Sequence, residues 1–220
     1  QASIEACVAE VIARESRIDL LVNNAGAGFA KTTEHTSDDE LQWVTDVNYM
    51  GVVRCCRAVI PHMRQQQGGH IINITSVGGL VGQPFNELYC GAKFAVEGFT
   101  EALATYLTAP FGIRLSLVES GGIVSEFMNS AVQKTMTEGK LAQPDNMPIL
   151  EKYMSGVQER AKNDDQGTYQ TATEVAEVIL QVAQAEQPPL RIRTSDWANE
   201  FTELKTATDP DGSKQVNRII

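Results

Sequence analysis

Three short apolar runs constrain this chain more than any other feature of its sequence. They are Ile18–Asn23, His70–Thr75 and Gly112–Val118, and each stops at a polar or glycine turn. Short, largely apolar runs of this length that end in turn residues read as buried strands. Helix-length segments lie between them. Residues 1–16 carry Ile4, Val8, Val11 and Ile12 at helical spacing. Ser37-Asp38-Asp39-Glu40 is a capping box that opens a long helix running to about Val59, with Pro61 and Gly68-Gly69 at and beyond its end. A helix is expected from about Asn86 to Thr108, two more within 125–165, and another over Thr173–Ala185. Leu190–Arg193 reads as a fourth short strand. Beyond Thr194 the pattern weakens. Strands alternating with long helices predict parallel strands joined by right-handed crossovers. The expected architecture is a doubly wound, Rossmann-like α/β sheet in a single domain over 1–194, with 195–220 as a C-terminal extension.

A chain of 220 residues buries enough surface to need no disulfide or metal staple. Its formal charge of −10 argues against nonspecific binding to nucleic acid or anionic membrane. No apolar run is long enough to span a bilayer, and no basic-then-apolar leader is visible. Cys7, Cys55, Cys56 and Cys90 include no C-x-x-C pair and read as reduced thiols of a cytoplasmic protein. His35, His62 and His70 have no metal-ligand spacing, so no metal site is expected.

Ligands of parallel sheets bind beyond the carboxyl ends of the strands. Here those ends carry Asn23-Asn24-Ala25-Gly26, Thr75-Ser76 and Glu119-Ser120-Gly121-Gly122. On the next helix Tyr89 and Lys93 stand four apart and so share a face. An ammonium beside a phenol favours the phenolate, which lets a tyrosine exchange protons with an alcohol or carbonyl oxygen. Ser76, 13 residues before Tyr89, can donate to the same oxygen. Asn48 is a mediocre helix former set among Val44, Val47, Val52 and Val53, which marks it as more than a surface residue.

Together, Asn23-Asn24-Ala25-Gly26, Asn48, Ser76, Tyr89-x-x-x-Lys93 and the Gly121 turn resemble the short-chain dehydrogenase/reductase family of the classical type, in order and in spacing, from about Ile18 to Arg193. Gly51-Val52-Val53-Arg54, Pro84-Phe85, the stretch Tyr89 to Gly98, and Pro188-Pro189-Leu190-Arg191 look like the branch holding estradiol 17β-dehydrogenase and retinol dehydrogenase. The resemblance implies an oxidoreductase that moves a hydride between NAD or NADP and an alcohol or carbonyl. Tyr89 is then the general acid/base. Lys93 holds the nicotinamide ribose and lowers the Tyr89 pKa, Ser76 bonds the reacting oxygen, and Asn48 holds a water. Asn23, Ala25 and Gly26 line the adenosine-ribose side, Gly121 and Ile123 pass close to the nicotinamide, and Ser125 reaches a phosphate. It further implies a lid over 125–165 and a homodimer or homotetramer. Met128, Met136, Met147, Ile149, Leu150, Tyr153 and Met154 fit either a lipophilic substrate, steroid- or retinoid-like, or core packing of the lid.

Two departures from the family pattern stand out. The strand and T-G-x-x-x-G-x-G turn with which the family begins do not occur, so the chain is expected to be a fragment lacking the N-terminal strands and the residue that selects NAD or NADP. The usual Pro-Gly after the third strand is Ser120-Gly121. Two other readings stay open: a non-catalytic binding or regulatory relative, and a related isomerase or dehydratase that keeps the Tyr/Lys pair.

Overall fold

The computed structural model describes residues 1–125, 127, 144–162 and 168–219. Its main sheet has four parallel strands in the order β1 (Leu20–Asn23), β2 (Gly69–Ile74), β3 (Ile113–Glu119) and β6 (Arg191–Arg193). The three apolar runs and the short fourth one are these strands. A second pair, β4 (Gly122–Val124) and β5 (Tyr169–Thr171), lies beyond the end of β3; neither is expected from the sequence.

Side-chain alternation sorts the sheet into two faces. Ile71, Ile113, Leu115 and Leu117 pack with Val52, Cys56, Val59 and Met63 of α3 (Gly51–Gln65) and with Val96, Leu103 and Leu107 of α4 (Glu87–Phe111). Ile72, Ile74, Val118 and Ile192 pack on the other face with Ile179 and Val182 of α6 (Ala172–Gln184). The result is a three-layer sandwich. The strands add in one direction, yet the last connection descends the face opposite to the first two. The β3-to-β6 crossover therefore has the opposite hand, which corrects the expectation of right-handed crossovers throughout. That handedness rule describes one helix joining two strands. Here β4, α5 (Met147–Lys162) and β5 intervene and carry the chain across the strand ends before α6 descends.

α1 (Ala2–Glu15) lies along α3, with Val8 and Ile12 turned toward Ala58 and His62. Among the described residues nothing pairs with the outer edge of β1, and Leu20 and Val22 are exposed there. The Ser37 capping box forms with both of its bonds: Glu40 N–H donates to Ser37 Oγ at 3.2 Å and Ser37 N–H to Glu40 Oε2 at 2.7 Å. The helix it opens, α2 (Asp38–Thr45), passes through a π-helical turn, Asp46–Met50, into α3. Pro61 lies inside α3 rather than at its end. Four further residues bring Met63 into the core with no exposed surface, and that burial outweighs the one helical bond a proline forgoes. α4 likewise runs past Thr108 to Phe111 and stops at Gly112, whose φ of +63° is left-handed. The C-terminal extension holds two helices, α7 (Asp196–Thr206) and α8 (Ser213–Ile219). No described helix is long and apolar enough to cross a membrane.

Met63 is fully buried in one cluster with Ile71 of β2 and Leu107 of α4. Met63→Ala should destabilise the protein by about 2–5 kcal/mol, measured as a shift of the urea midpoint at constant m-value.

Candidate active site

The end of β2 docks on α4 through successive residues. Asn73 Nδ2 donates to Thr100 Oγ1 at 2.8 Å, Lys93 Nζ donates to the Ile74 carbonyl at 3.0 Å, and Thr75 Oγ1 donates to Glu97 Oε1 at 2.6 Å. Ser76 follows, and its hydroxyl accepts from Gly78 N–H at 3.1 Å and lies close enough to the Tyr89 phenol to lower its pKa. The expected catalytic residues Ser76, Tyr89 and Lys93 thus converge at one strand end, all buried. Lys93 Nζ lies 5.8 Å from the centre of the Tyr89 ring, and Phe127 meets that ring edge-on at 5.7 Å.

Burial governs both ionisations. It pushes the Tyr89 phenol up to about 12, against a lowering by Ser76, and pushes the Lys93 ammonium down to about 8, against a raising by Glu97. For Tyr89 the pull of burial outweighs the lowering by Ser76 and favours the phenol.

Asn48 sits on the π turn, fully buried. Its Oδ1 accepts from Ala27 N–H at 3.0 Å, and its Nδ2 donates to the carbonyls of Ala27 and Val44, each at 3.0 Å. An α-helix gives no inward position for such a clamp at this depth; one residue inserted into the ladder re-aims the side chain. The Asn48 amide thus ties the backbone after β1 to the carbonyl of Val44 in α2. Asn23 is turned inward as well: its Nδ2 donates to Asn73 Oδ1 at 2.8 Å. The rim itself is left to Ala25 and Gly26, both exposed.

Gly121, Ile123 and Ser125 lie on the neighbouring rim, joined to the Ser76 loop by Val77 N–H donating to the Ser120 carbonyl at 3.0 Å. A Cβ on Gly121 would stand 3.1 Å from the Trp197 ring, and one on Gly122 would stand 2.7 Å from Tyr169. These glycines are required by packing whatever binds beside them. Ser125 is exposed, with a long 3.4 Å bond from Phe127 N–H. Of the expected lid, Leu150, Tyr153 and Met154 of α5 pack on Phe85 in the loop between Ser76 and Tyr89, while Met147 and Ile149 are exposed. Met128 and Met136 lie outside the described residues, as does most of 125–143. The segment after β1 is tied down by the buried Lys31–Glu40 pair at 2.6 Å and by Lys31 N–H donating to the Phe85 carbonyl at 2.8 Å.

Sequence reasoning missed a charged cluster beneath the site. Arg191 Nε lies 3.0 Å from Glu97 and 3.2 Å from Glu119, and its Nη2 lies 2.7 Å from Glu101. Arg193 Nη1 lies 3.1 Å from Glu119 and donates to the Pro210 carbonyl at 2.7 Å. Its sequence signal was available. Arg191 and Arg193 alternate in a strand and share a face, and Glu119 is a charge closing an apolar run. Burial and the nearby Glu97 charge push the Glu119 carboxyl up to about 8.

The rim fits the nicotinamide end of a dinucleotide in two respects. A Cβ on Gly26 would come within 3.3 Å of Asn48 Oδ1 and 3.5 Å of Lys93 Nζ, so a side chain there would occupy space beside Lys93 that a ligand could use. Lys93 has one hydrogen-bond acceptor among the described residues, the Ile74 carbonyl, and an ammonium has three N–H groups. Gly26, Lys93, Ser76 and Tyr89 are the residues that could hold it. Among the described residues no group of three or more His, Cys, Asp or Glu could hold a metal ion.

Residues 1–136 match the sequence profile of the short chain dehydrogenase family. Retinol dehydrogenase 8 of Bos taurus is 38% identical over 223 residues, covering 98% of this chain and 70% of that protein. Human 17-beta-hydroxysteroid dehydrogenase type 1 is 37% identical over 205 residues, covering 93% and 61%. This chain therefore spans between 61% and 70% of the length of these two relatives. Among solved structures, a short-chain dehydrogenase from Streptomyces avermitilis aligns over 99% of this chain and 75% of its own, with a TM-score of 0.71 at 25% identity. A gluconate 5-dehydrogenase from Burkholderia cenocepacia, solved with NADP and tartrate, aligns over 62% and 53%, with a TM-score of 0.56 at 31% identity.

Two measurements probe the geometry. Asn48→Ala strands the Ala27 amide and carbonyl, and a buried group left unpaired costs about 1–3 kcal/mol; its urea midpoint should fall accordingly. Glu119 binds its proton more tightly folded than unfolded, so its contribution to stability is complete below about pH 4.5 and is lost as pH rises through about 8. Glu119→Gln should flatten the stability–pH curve between those values, and an unchanged slope would show that Glu119 does not titrate there.

Proposed function

Because this chain belongs to the short-chain dehydrogenase family, whose members are NAD(P)-dependent oxidoreductases acting on CH–OH groups, we propose that it carries the catalytic centre of an enzyme interconverting a lipophilic alcohol and its carbonyl. Tyr89 is its general acid/base. The observation that carries this reading is the meeting of Ser76, Tyr89 and Lys93 at the end of β2, beside the open rim at Gly26.

The nicotinamide, when bound, supplies or accepts the hydride. The chain's own residues handle the proton and the geometry. Tyr89, held as a phenol by burial, donates to a carbonyl oxygen during reduction; in the reverse direction its phenolate takes the alcohol proton. Ser76 Oγ orients the same oxygen. Lys93 offers its remaining N–H groups to the ribose, and its charge grows more important as the phenol gives up its proton. Asn48 fixes the Ala25–Ala27 backbone that faces Lys93. Phe127 shields the Tyr89 ring from water.

A lipophilic substrate, steroid- or retinoid-like, is supported by the apolar surface that Phe85, Leu150, Tyr153 and Met154 build over the loop to Tyr89, and by relatives named for retinol and for 17-beta-hydroxysteroids. Four free cysteines favour the reducing cytoplasm. Exposed Leu41, Phe94 and Tyr106 on the α2 and α4 surfaces favour a homodimer or homotetramer.

Tyr89→Phe in the complete protein should lower turnover of retinol and of a 17β-hydroxysteroid by about 10²–10⁴-fold, with NADH and NADPH binding by fluorescence titration nearly unchanged. Wild-type turnover in that variant would remove Tyr89 from the mechanism.

A further inference from the structure

The mechanism leaves Glu97 without a role, although its position is costly: a carboxylate buried among charges, one helical turn beyond Lys93. Residues four apart on a helix lie on one face, and here both are buried on the side of α4 that meets the end of β2. Ile74 and Thr75, adjacent in sequence, bond Lys93 and Glu97 respectively, and Ser76 comes next. A Cβ on Gly79 would touch the Glu97 side chain at 3.2 Å and the Lys93 carbonyl at 3.3 Å, so the turn after Ser76 closes directly over both.

We propose that Glu97 is a positioning residue for the reaction: it supplies the counter-charge that keeps the buried Lys93 a cation, and so acts on Tyr89 through Lys93. The inference rests on the roles given to Tyr89 and Lys93 above. Removal of two ions from water is repaid only when their remaining bonds are made, and Glu97 has them. Thr75 donates to one oxygen and Arg191 to the other. Glu119 of β3 meets the same Arg191, and burial raises the proton affinity of both carboxyls; against that, the donors on both Glu97 oxygens favour its carboxylate. The groups facing Glu97 are thus Thr75 from β2, Glu119 from β3, Arg191 from β6, and Lys93 and Glu101 from its own helix. Lys214 of α8, which packs on α4, points its ammonium to the Thr208 carbonyl instead, and Arg218 is exposed. The groups facing Lys93 are Tyr89 and Glu97 on α4, the Ile74 carbonyl, Asn48 and the Gly26 backbone. Glu97 raises its proton affinity against burial.

The first test needs neither cofactor nor substrate. With 13C-labelled lysine and Lys93 assigned by Lys93→Arg, NMR gives its titration midpoint. In Glu97→Gln, which keeps the acceptor toward Thr75 but removes the charge, the midpoint should fall by about one pH unit; Glu97→Asp should largely restore it. Arg191→Gln removes a cation from the same cluster and must move the midpoint upward, which keeps the test alive if Glu97→Gln does not fold. A midpoint unmoved by whichever of these folds overturns the proposal. The second test is the pH profile of kcat/KM for retinol or a 17β-hydroxysteroid with NADP in the complete protein. Its limb should move to lower pH in Glu97→Gln and stay in place in Glu97→Asp. A lower kcat or Tm with the limb in place means that Glu97 is only structural. A shifted lysine midpoint with no turnover of either probe by the wild type overturns the proposed function and leaves the electrostatic link standing.

Discussion

Three consecutive residues at the end of β2 each bond α4, Asn73 to Thr100, Ile74 to Lys93 and Thr75 to Glu97, and Ser76 after them faces Tyr89. A strand rises about 3.3 Å per residue and an α-helix 1.5 Å, so such a run of contacts fixes α4 against the sheet in both slide and rotation. Every functional side chain on α4 inherits its position from that docking. Asn73 is itself held by Asn23 of β1, so the three elements share one buried polar chain. Buried amides and hydroxyls tolerate few alternatives, because each shift leaves a donor or acceptor unpaired.

Around this seam the protein buries ionisable groups. Lys93, Glu97 and Glu119 are all buried, and burial moves each away from its charged form. Arg191 and Arg193 come from the last strand and offset part of that penalty. The same arginines reach outward: Arg193 bonds Asn199 of α7 and the Pro210 carbonyl. The C-terminal helices are therefore anchored on the ions that underlie the site, even though the sequence beyond Thr194 shows little pattern.

The strands and their polarity were legible because buried parallel strands leave short, largely apolar runs that end in turn residues, and the capping box at Ser37 was legible because its two bonds are local. Asn48 stood out as a polar residue in a valine-rich helix, but not the π turn that aims it, since one inserted residue leaves no trace in composition. Pro61 marked a helix end by local rules and lies inside a helix because Met63 beyond it fills the core. The opposite hand of the last crossover was hidden because it depends on the long excursion from β4 to β5. Spacing places an ammonium near Tyr89, but the pull of burial on its proton is not visible in the sequence.

By itself, then, the sequence determined the parallel α/β sheet, the rim on which small residues and glycines gather, and the residues Ser76, Tyr89 and Lys93 at their spacing. Those properties follow from periodicity and from bonds between near neighbours. Only the tertiary structure decided which of these side chains face the rim and which face inward, how strongly each holds its proton, and that Glu97, Glu119, Arg191 and Arg193 meet beneath the site. These depend on solvent exclusion and on contacts between residues as far apart as Glu97 and Arg191, and a one-dimensional pattern carries neither.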